Sequence, residues 1–286
     1  MFVIMGATGQ VGGAALEALK QRGIALRAVA RDPVRAQGLG VETLRGDASQ
    51  TESLAAAFAG AQATFVMLVP PYQARNVLAE SRVIARSIAA AVRAAEVPHV
   101  VALSSVGAHL SEGNGIVQVL HDFETALADV APSLVFLRPR EFLENWAGML
   151  PVAREAGVLP TGKAALDKRH EAVSALDVGR VAAELLLEPR PGTRIVDLAG
   201  PAPYSALDAA AVLSRLLDKP VTAVPSSREQ SVVALVAAGL GADYAAKLAD
   251  LDEAIDAGRL EFPAGGDFRR GMVTLDAVLQ RLVGEG

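Results

Sequence analysis

Three glycines stand three residues apart in Gly6-Ala7-Thr8-Gly9-Gln10-Val11-Gly12, directly after a short apolar run and at the head of a segment with helical spacing. Glycines here let the chain turn sharply, bring bare backbone up to a pyrophosphate, and pack a helix closely on its strand. The helix N-terminus then meets the phosphate charge. A tight turn alone also uses glycine, but strand, turn and helix in succession are the context in which this spacing binds a dinucleotide. Gly6, Thr8, Gly9, Gln10, Val11 and Gly12 are the candidate contacts.

A second chemistry-bearing position closes the next apolar run, in Ala28-Val29-Ala30-Arg31-Asp32-Pro33. An acidic residue there accepts from a free ribose 2′-hydroxyl, whereas a guanidinium pairs with a 2′-phosphate through two parallel hydrogen bonds. Arg31 favours NADP(H) over NAD(H); Asp32 beside it could be read the other way, and Arg35 is a candidate second donor. Asp47, in Arg45-Gly46-Asp47-Ala48, is placed either to accept from the adenine amino group or to cap a turn. Val69 and Pro70 end a later run, where backbone lines the cofactor's ribose.

These residues need a scaffold that gathers run ends at one edge. Runs at 2–5, 26–30, 42–45, 63–68, 100–103 and 134–137 are short and apolar or β-rich, and each precedes a longer helical pattern. That alternation is the mark of βαβ units and a parallel sheet buried on both faces. The fold class expected is α/β, a Rossmann doubly wound parallel sheet in residues 1–150 with a smaller C-terminal α/β substrate lobe in residues 151–286. The patterns give helices at 11–22 and 74–95, the latter carrying Arg75, Arg82, Arg86 and Arg93 on a solvated or homodimer-forming side. In the lobe they give a helix at 142–156, a loop at 158–169, strands at 172–175, 194–199 and 221–224, and a helix from near Asp177 to Leu187. Further helices fall at 205–218, 228–238 and near 244–257, and the loop 262–268 could cover the site.

Composition narrows the chemistry. With 27 Lys+Arg against 32 Asp+Glu the net charge is −5, which argues against a dedicated nucleic-acid partner. Zero cysteines exclude disulfides, thiolate–metal sites and a thiol nucleophile. His99, His109, His121 and His170 show no paired spacing, so no metal is expected. No charge-free apolar stretch approaches the roughly 18 residues that would span a membrane, and the opening residues lack the features of a signal sequence. The expectation is a cytoplasmic protein with a small-molecule substrate and no membrane partner.

The glycine motif, Arg31-Asp32, Gly46-Asp47 and Leu137-Arg138-Pro139-Arg140-Glu141-Phe142-Leu143-Glu144-Asn145 together resemble the NmrA-like group of atypical short-chain dehydrogenases. Leu176-Asp177-Val178-Gly179-Arg180-Val181, Leu198-Ala199-Gly200-Pro201, Tyr204-Ser205 and Lys219-Pro220-Val221 extend the resemblance over about residues 1–225. It implies a Rossmann domain, a small substrate lobe and NADP(H) binding, and the group is similar to NADPH:quinone reductases on one side and to redox-sensing regulators on the other. It places Pro139 through Phe142 over the nicotinamide, with Phe142, Asn145 and Trp146 as pocket wall or core. Glu141 is a polar candidate with no assigned chemistry.

Ordinary short-chain chemistry needs Tyr-x-x-x-Lys, whose lysine lowers the tyrosine pKa for protonating a carbonyl oxygen. Tyr72, Tyr204 and Tyr244 are followed four residues on by Asn76, Asp208 and Leu248, so that dyad is missing. By the resemblance, Ser104 stands where related enzymes orient substrate, and His121 where a lysine or histidine meets the nicotinamide ribose and can donate a proton. The plainer readings are a turn cap for Ser104 and a surface histidine paired with Glu124 or Glu112 for His121. Without the dyad, the acceptor that fits is electron-poor, a quinone or an activated carbonyl, because its reduced oxyanion is weakly basic. The alternative is a non-catalytic NADP(H) sensor acting through a protein partner.

Overall fold

The computed structural model describes residues 1–263 and 265–285, except for the side chain of Arg35. In chain order the strands are β1 (Phe2–Met5), β2 (Leu26–Ala30), β3 (Glu42–Arg45), β4 (Ala63–Met67), β5 (His99–Leu103), β6 (Ser133–Pro139), β7 (Glu141–Phe142), β8 (Val158–Thr161), β9 (His170–Val173), β10 (Gly192–Ala199), β11 (Pro203–Tyr204), β12 (Thr222–Pro225) and β13 (Asp267–Arg270). The helices are α1 (Gln10–Lys20), α2 (Thr51–Phe58), α3 (Val77–Ala94), α4 (Gln118–Leu127), α5 (Leu150–Ala156), α6 (Ala175–Leu186), α7 (Ala206–Leu216), α8 (Arg228–Ala237), α9 (Ala242–Asp256) and α10 (Leu275–Glu285).

Eight strands form one sheet in the order β13-β10-β6-β5-β4-β1-β2-β3. Every pairing in it is parallel. Successive side chains on a strand point to opposite faces, so Val3, Val66, Val100 and Leu134 pack under α2, α3 and α4. Their neighbours Ile4, Phe65, Val101 and Val135 pack under α1 and α6. Strand order reverses between β1 and β4, which opens a crevice beyond the carboxyl ends of those strands. The doubly wound parallel architecture expected from the sequence is the one observed.

The second half differs in detail from its sequence reading. The run at 194–199 belongs to β10 and joins the large sheet beside β6, and β13 and α10 were not foreseen. Residues 158–161 form β8, not a loop. Their proline is tolerated because β8 pairs on one side only, with β12. The helix expected at 142–156 divides into β7, a 3₁₀ segment at Leu143–Met149, and α5. The division lets the Glu144 carboxylate, 6% exposed, accept from Ser174 Oγ at 2.7 Å and the Ala175 N–H at 2.9 Å, capping α6 from outside its own chain segment. Ser205 caps α7 in a reciprocal box with Asp208. Two arginines of α3 bind the next helix and its end, Arg82 to Asp122 at 2.8 Å and Arg93 to the Ala128 carbonyl at 3.1 Å.

Candidate active site at the carboxyl edge of the sheet

The edge begins where β1 meets α1. The chain turns at Gly6, whose φ is +66°, and the Gly9 N–H closes the turn on the Gly6 carbonyl at 2.9 Å. Gly9 then caps α1 with no side chain on the helix's first N–H groups and no acid in its first turn. Thr8, Gly9 and Gln10 are exposed, so this N-terminus presents bare amides and the positive end of a helix dipole. A Cβ on Gly12 would collide with the Gly6 carbonyl and stand 2.8 Å from the Met5 oxygen; one on Gly6 would meet Met67 Sδ at 2.5 Å. These close approaches leave no room for a side chain at Gly6 or Gly12, which is what a turn that meets a pyrophosphate with its backbone requires.

Around it lie the ends of β2, β3 and β4. Arg31 is exposed, while the Asp32 carboxylate accepts the Val34 N–H at 3.0 Å and so caps the 3₁₀ turn Pro33–Leu39. Asp47 Oδ1 accepts from the Ser49 N–H at 2.9 Å and its hydroxyl at 2.7 Å. Those bonds, with Arg31 and Arg45 nearby, hold its carboxyl below the usual range. Val69 is exposed and Pro70 half-buried at the end of β4. Arg35, the other candidate donor, has its side chain outside the described residues.

Beyond β5 and β6 the polar groups are locked to one another. Ser104, 3% exposed, donates its hydroxyl to Glu124 Oε1. The Arg138 guanidinium grips both oxygens of the same carboxylate. His121 does not pair with Glu124 or Glu112; its Nδ1 lies 2.9 Å from the Ala108 carbonyl. A carbonyl only accepts, so that nitrogen carries the proton, and the ring ties α4 to the segment following β5. His109 faces the Arg138–Glu124 pair, and burial followed by Arg138 lowers its pKa. Asp197 on β10 is buried without a partner for Oδ1, and burial raises its pKa against the pull of Arg138 and Arg140.

At the end of β6, Pro139 is buried and Phe142 packs partly into the core beneath α1 and α6. Trp146 packs against the lobe core, and Asn145 is exposed. Glu141 forms an ion pair with Lys163, and nothing in the residue spacing couples β7 to the turn after β8.

Residues 226–262, for which sequence offered no chemistry, roof this edge. The Ser226 N–H donates to the Thr161 carbonyl at 2.8 Å, and the Gly241 N–H donates to the Tyr72 carbonyl at 2.8 Å. The segment holding α8 is therefore tied at one end to the lobe and at the other to the loop after β4. Tyr244 stacks edge-on against Tyr72 at 5.1 Å, and Asp243 accepts the Val77 N–H at 2.7 Å. Burial pushes the Tyr244 hydroxyl up to about 12, so it is a neutral packing group. After α9, Leu260 packs on Val106, and Arg140 binds the Leu260 carbonyl and Glu261 while lying over the Phe262 ring.

A bare helix N-terminus at the switch point of a parallel sheet, covered by residues 226–262, is the arrangement of a dinucleotide-binding α/β protein. The model of the NAD(P)H-binding family matches residues 6–189, and the chain belongs to that family. It is similar to the NAD(P)H azoreductase of Xenophilus azovorans, 26% identical over 245 residues, 84% of this chain and 82% of the relative. It is 30% identical over 224 residues to the (4-alkanoyl-5-oxo-2,5-dihydrofuran-3-yl)methyl phosphate reductase of Streptomyces griseus, 77% of this chain and 75% of that one. The solved structure of an NADPH-dependent quinone oxidoreductase of Escherichia coli complexed with NADPH matches with a TM-score of 0.80 at 25% identity, covering 99% of each chain. These matches bear out the NmrA-like resemblance read from the sequence. Among the described residues no helix is long and apolar enough to cross a membrane.

Proposed function

We propose that this protein is an NADPH-dependent oxidoreductase that reduces a quinone-like or other electron-poor acceptor, with NADP(H) preferred over NAD(H). The observation that carries the reading is the tight glycine turn Gly6–Gly12, with its exposed helix N-terminus, beside exposed Arg31 at the neighbouring strand end. Asp32, the residue that would have favoured NAD(H), is turned onto Val34. Of the three similar proteins above, two are named as reductases and one as an NADPH-dependent quinone oxidoreductase, which supports the assignment of reaction class.

Bound NADPH supplies a hydride from its dihydronicotinamide. The chain's part is to hold the pyrophosphate on Gly6, Thr8, Gly9, Gln10, Val11 and Gly12, the 2′-phosphate on Arg31 and the adenine amino group on Asp47. Val69, Pro70, Pro139 and Phe142 line the remaining sugar and ring. Ser104, held by Glu124, and His121, held by Ala108, are the proposed polar groups of the acceptor site, with His121 Nε2 as the ring nitrogen left to exchange a proton. With no Tyr-x-x-x-Lys dyad, acceptors whose reduced form is weakly basic suit this site.

The experiment is NADPH consumption, followed by absorbance, with quinones, azo compounds and activated carbonyls, beside NADPH and NADH binding in the same preparation. Turnover on at least one electron-poor acceptor, reduced in His121→Ala, is the expected result. Tight NADPH binding with no turnover would overturn the reductase reading and favour a sensor that signals through a protein partner.

A further inference from the structure

Tyr72 lies five residues beyond the end of β4, in a loop that starts among the proposed site groups. β4 and β5 are neighbours with Met67 opposite Leu103, so the chain leaves β4 at Leu68 beside Ser104, about 4.8 Å away across the sheet. Met67 also reaches the glycine turn, where its Sδ stands 2.5 Å from the place a Cβ on Gly6 would take. Residues 68–73 therefore rise between the pyrophosphate turn and the proposed acceptor serine. Arg31 and Asp47, the adenosine-side groups, follow β2 and β3 on the far side of β1.

The ring is held in place from the roof. A Cβ on Gly241 would stand 2.9 Å from the Tyr72 carbonyl oxygen that its N–H binds, so glycine lets the head of α9 sit directly on the loop. Gln73 donates its amide to the Gly239 carbonyl. Tyr244, in the first turn of α9, meets the Tyr72 ring edge-to-face with 87° between the planes. α9 is seated in turn on the segment after β5, where a Cβ on Gly115 would meet Leu251 N and stand 2.6 Å from the Lys247 carbonyl oxygen. An edge-to-face contact occupies at most one face of a ring, and Tyr72 is 47% exposed, so its other face is open. Val69 in the same loop and Val236, at the end of α8 one turn before Gly239, are exposed too. None of the three carries charge. A ring ordered in advance loses little freedom when a ligand stacks on it.

We propose that Tyr72 is the aromatic wall of the acceptor site, stacking on a planar, uncharged, conjugated ring, and that Tyr244 is the positioning group that holds it there. This inference rests on the reductase reading. A flat electron-poor ring has two π-faces: one must meet the hydride donor, and the other is free to lie on the phenol ring. Phenol is electron-rich on its face, so the pairing is favourable beyond the area it buries. Such a wall selects by ring area, and a two-ring acceptor gains more from it than a one-ring acceptor.

The test uses the full chain, NADPH, and 1,4-naphthoquinone beside 1,4-benzoquinone, which share the reacting ring and differ by one fused ring. Tyr72→Ala is expected to raise KM for naphthoquinone at least about ten-fold and KM for benzoquinone less. kcat and NADPH affinity should stay nearly unchanged, because the wall binds the acceptor and moves no proton. Tyr72→Phe keeps the ring and should match the wild type. Tyr72→Leu keeps apolar bulk against Tyr244 but has no π-face, and should share the selective KM rise. Tyr244→Leu should raise the same KM by a smaller factor, with Tyr244→Phe restoring it. A wild-type KM in Tyr72→Leu would make Tyr72 an apolar filler and overturn the stacking. NADPH affinity falling in step with KM would assign the ring to the cofactor and overturn it equally; both outcomes leave the reductase reading standing. Where neither quinone is turned over, calorimetric titration of naphthoquinone onto NADP⁺-saturated protein decides. Binding lost in Tyr72→Ala and kept in Tyr72→Phe upholds the wall even as the reductase reading falls, and no binding to the wild type overturns the wall.

Discussion

Arg138 holds Glu124 by two parallel bonds, Nε to Oε1 at 2.8 Å and Nη2 to Oε2 at 2.6 Å, with the two side chains 5% and 11% exposed. The pair joins α4 to the end of β6, and Ser104 fastens the end of β5 to it. One carboxylate therefore fixes two strand ends of the candidate site.

Glu124→Ala strands a buried guanidinium, and breaking a buried pair by removing one partner costs about 3–5 kcal/mol. Urea denaturation at neutral pH should show a loss of that size, with a smaller one for Glu124→Gln, which keeps an acceptor for Arg138. A change below about 1 kcal/mol, the range of exposed pairs, would contradict this account.

Gly12→Ala puts a methyl group against the Gly6 carbonyl and must push α1 away from β1. NADPH affinity is expected to fall more than about ten-fold, equivalent to roughly 1.4 kcal/mol, in a fluorescence titration. Undiminished affinity in a folded variant would show that the cradle does not hold the pyrophosphate.

Arg31→Ala should weaken NADPH binding by roughly ten-fold or more and leave NADH binding nearly unchanged, since only the 2′-phosphate gains charge-assisted bonds from a guanidinium. Calorimetric titration of both cofactors gives the ratio. Equal losses for the two would remove Arg31 from the discrimination.

His99 is 2% exposed between Ser133 Oγ at 2.8 Å and the Leu185 carbonyl at 2.9 Å. Nε2 must donate to that carbonyl, and in the neutral ring, which burial favours, Nδ1 is the nitrogen that accepts from the serine. Burial lowers its pKa. The unfolded chain then binds more protons than the folded one below the ordinary histidine value of 6.5, and this contribution to stability is complete above that pH and lost as pH falls through the folded value. Melting temperatures between pH 7.5 and pH 5.5 should drop less in His99→Gln than in the wild type. Parallel drops would show that His99 does not drive the acid limb.

The parts of the fold that read directly from sequence are those whose reasons are local. The runs at 2–5, 26–30 and 42–45 match their strands residue for residue, because apolar or β-branched residues bounded by turns leave one secondary structure open to them. The glycine cradle was legible for the same reason. β13 was not: Asp-Phe-Arg-Arg carries no strand signature, and it forms because β10 offers an unpaired edge, with Arg269 further held by Glu184 and Glu188. Glu124 could be seen only as a neighbour of His121 on one helix, since its true partner Arg138 belongs to strand β6. Lys163 and Glu141 sit on separate segments and meet only in the fold, so composition and spacing are silent about them.

The position of β13 also bears on how the chain must be made. Seven strands of the large sheet are complete by residue 199, yet the eighth is Asp267–Arg270. During synthesis β10 waits as an open edge, a row of unpaired N–H and C=O groups able to template another chain, through the whole time the roof is being translated. A chain ending before residue 267 would keep that edge permanently. Its fate would be self-association through β10, a more damaging outcome than the loss of a terminal helix.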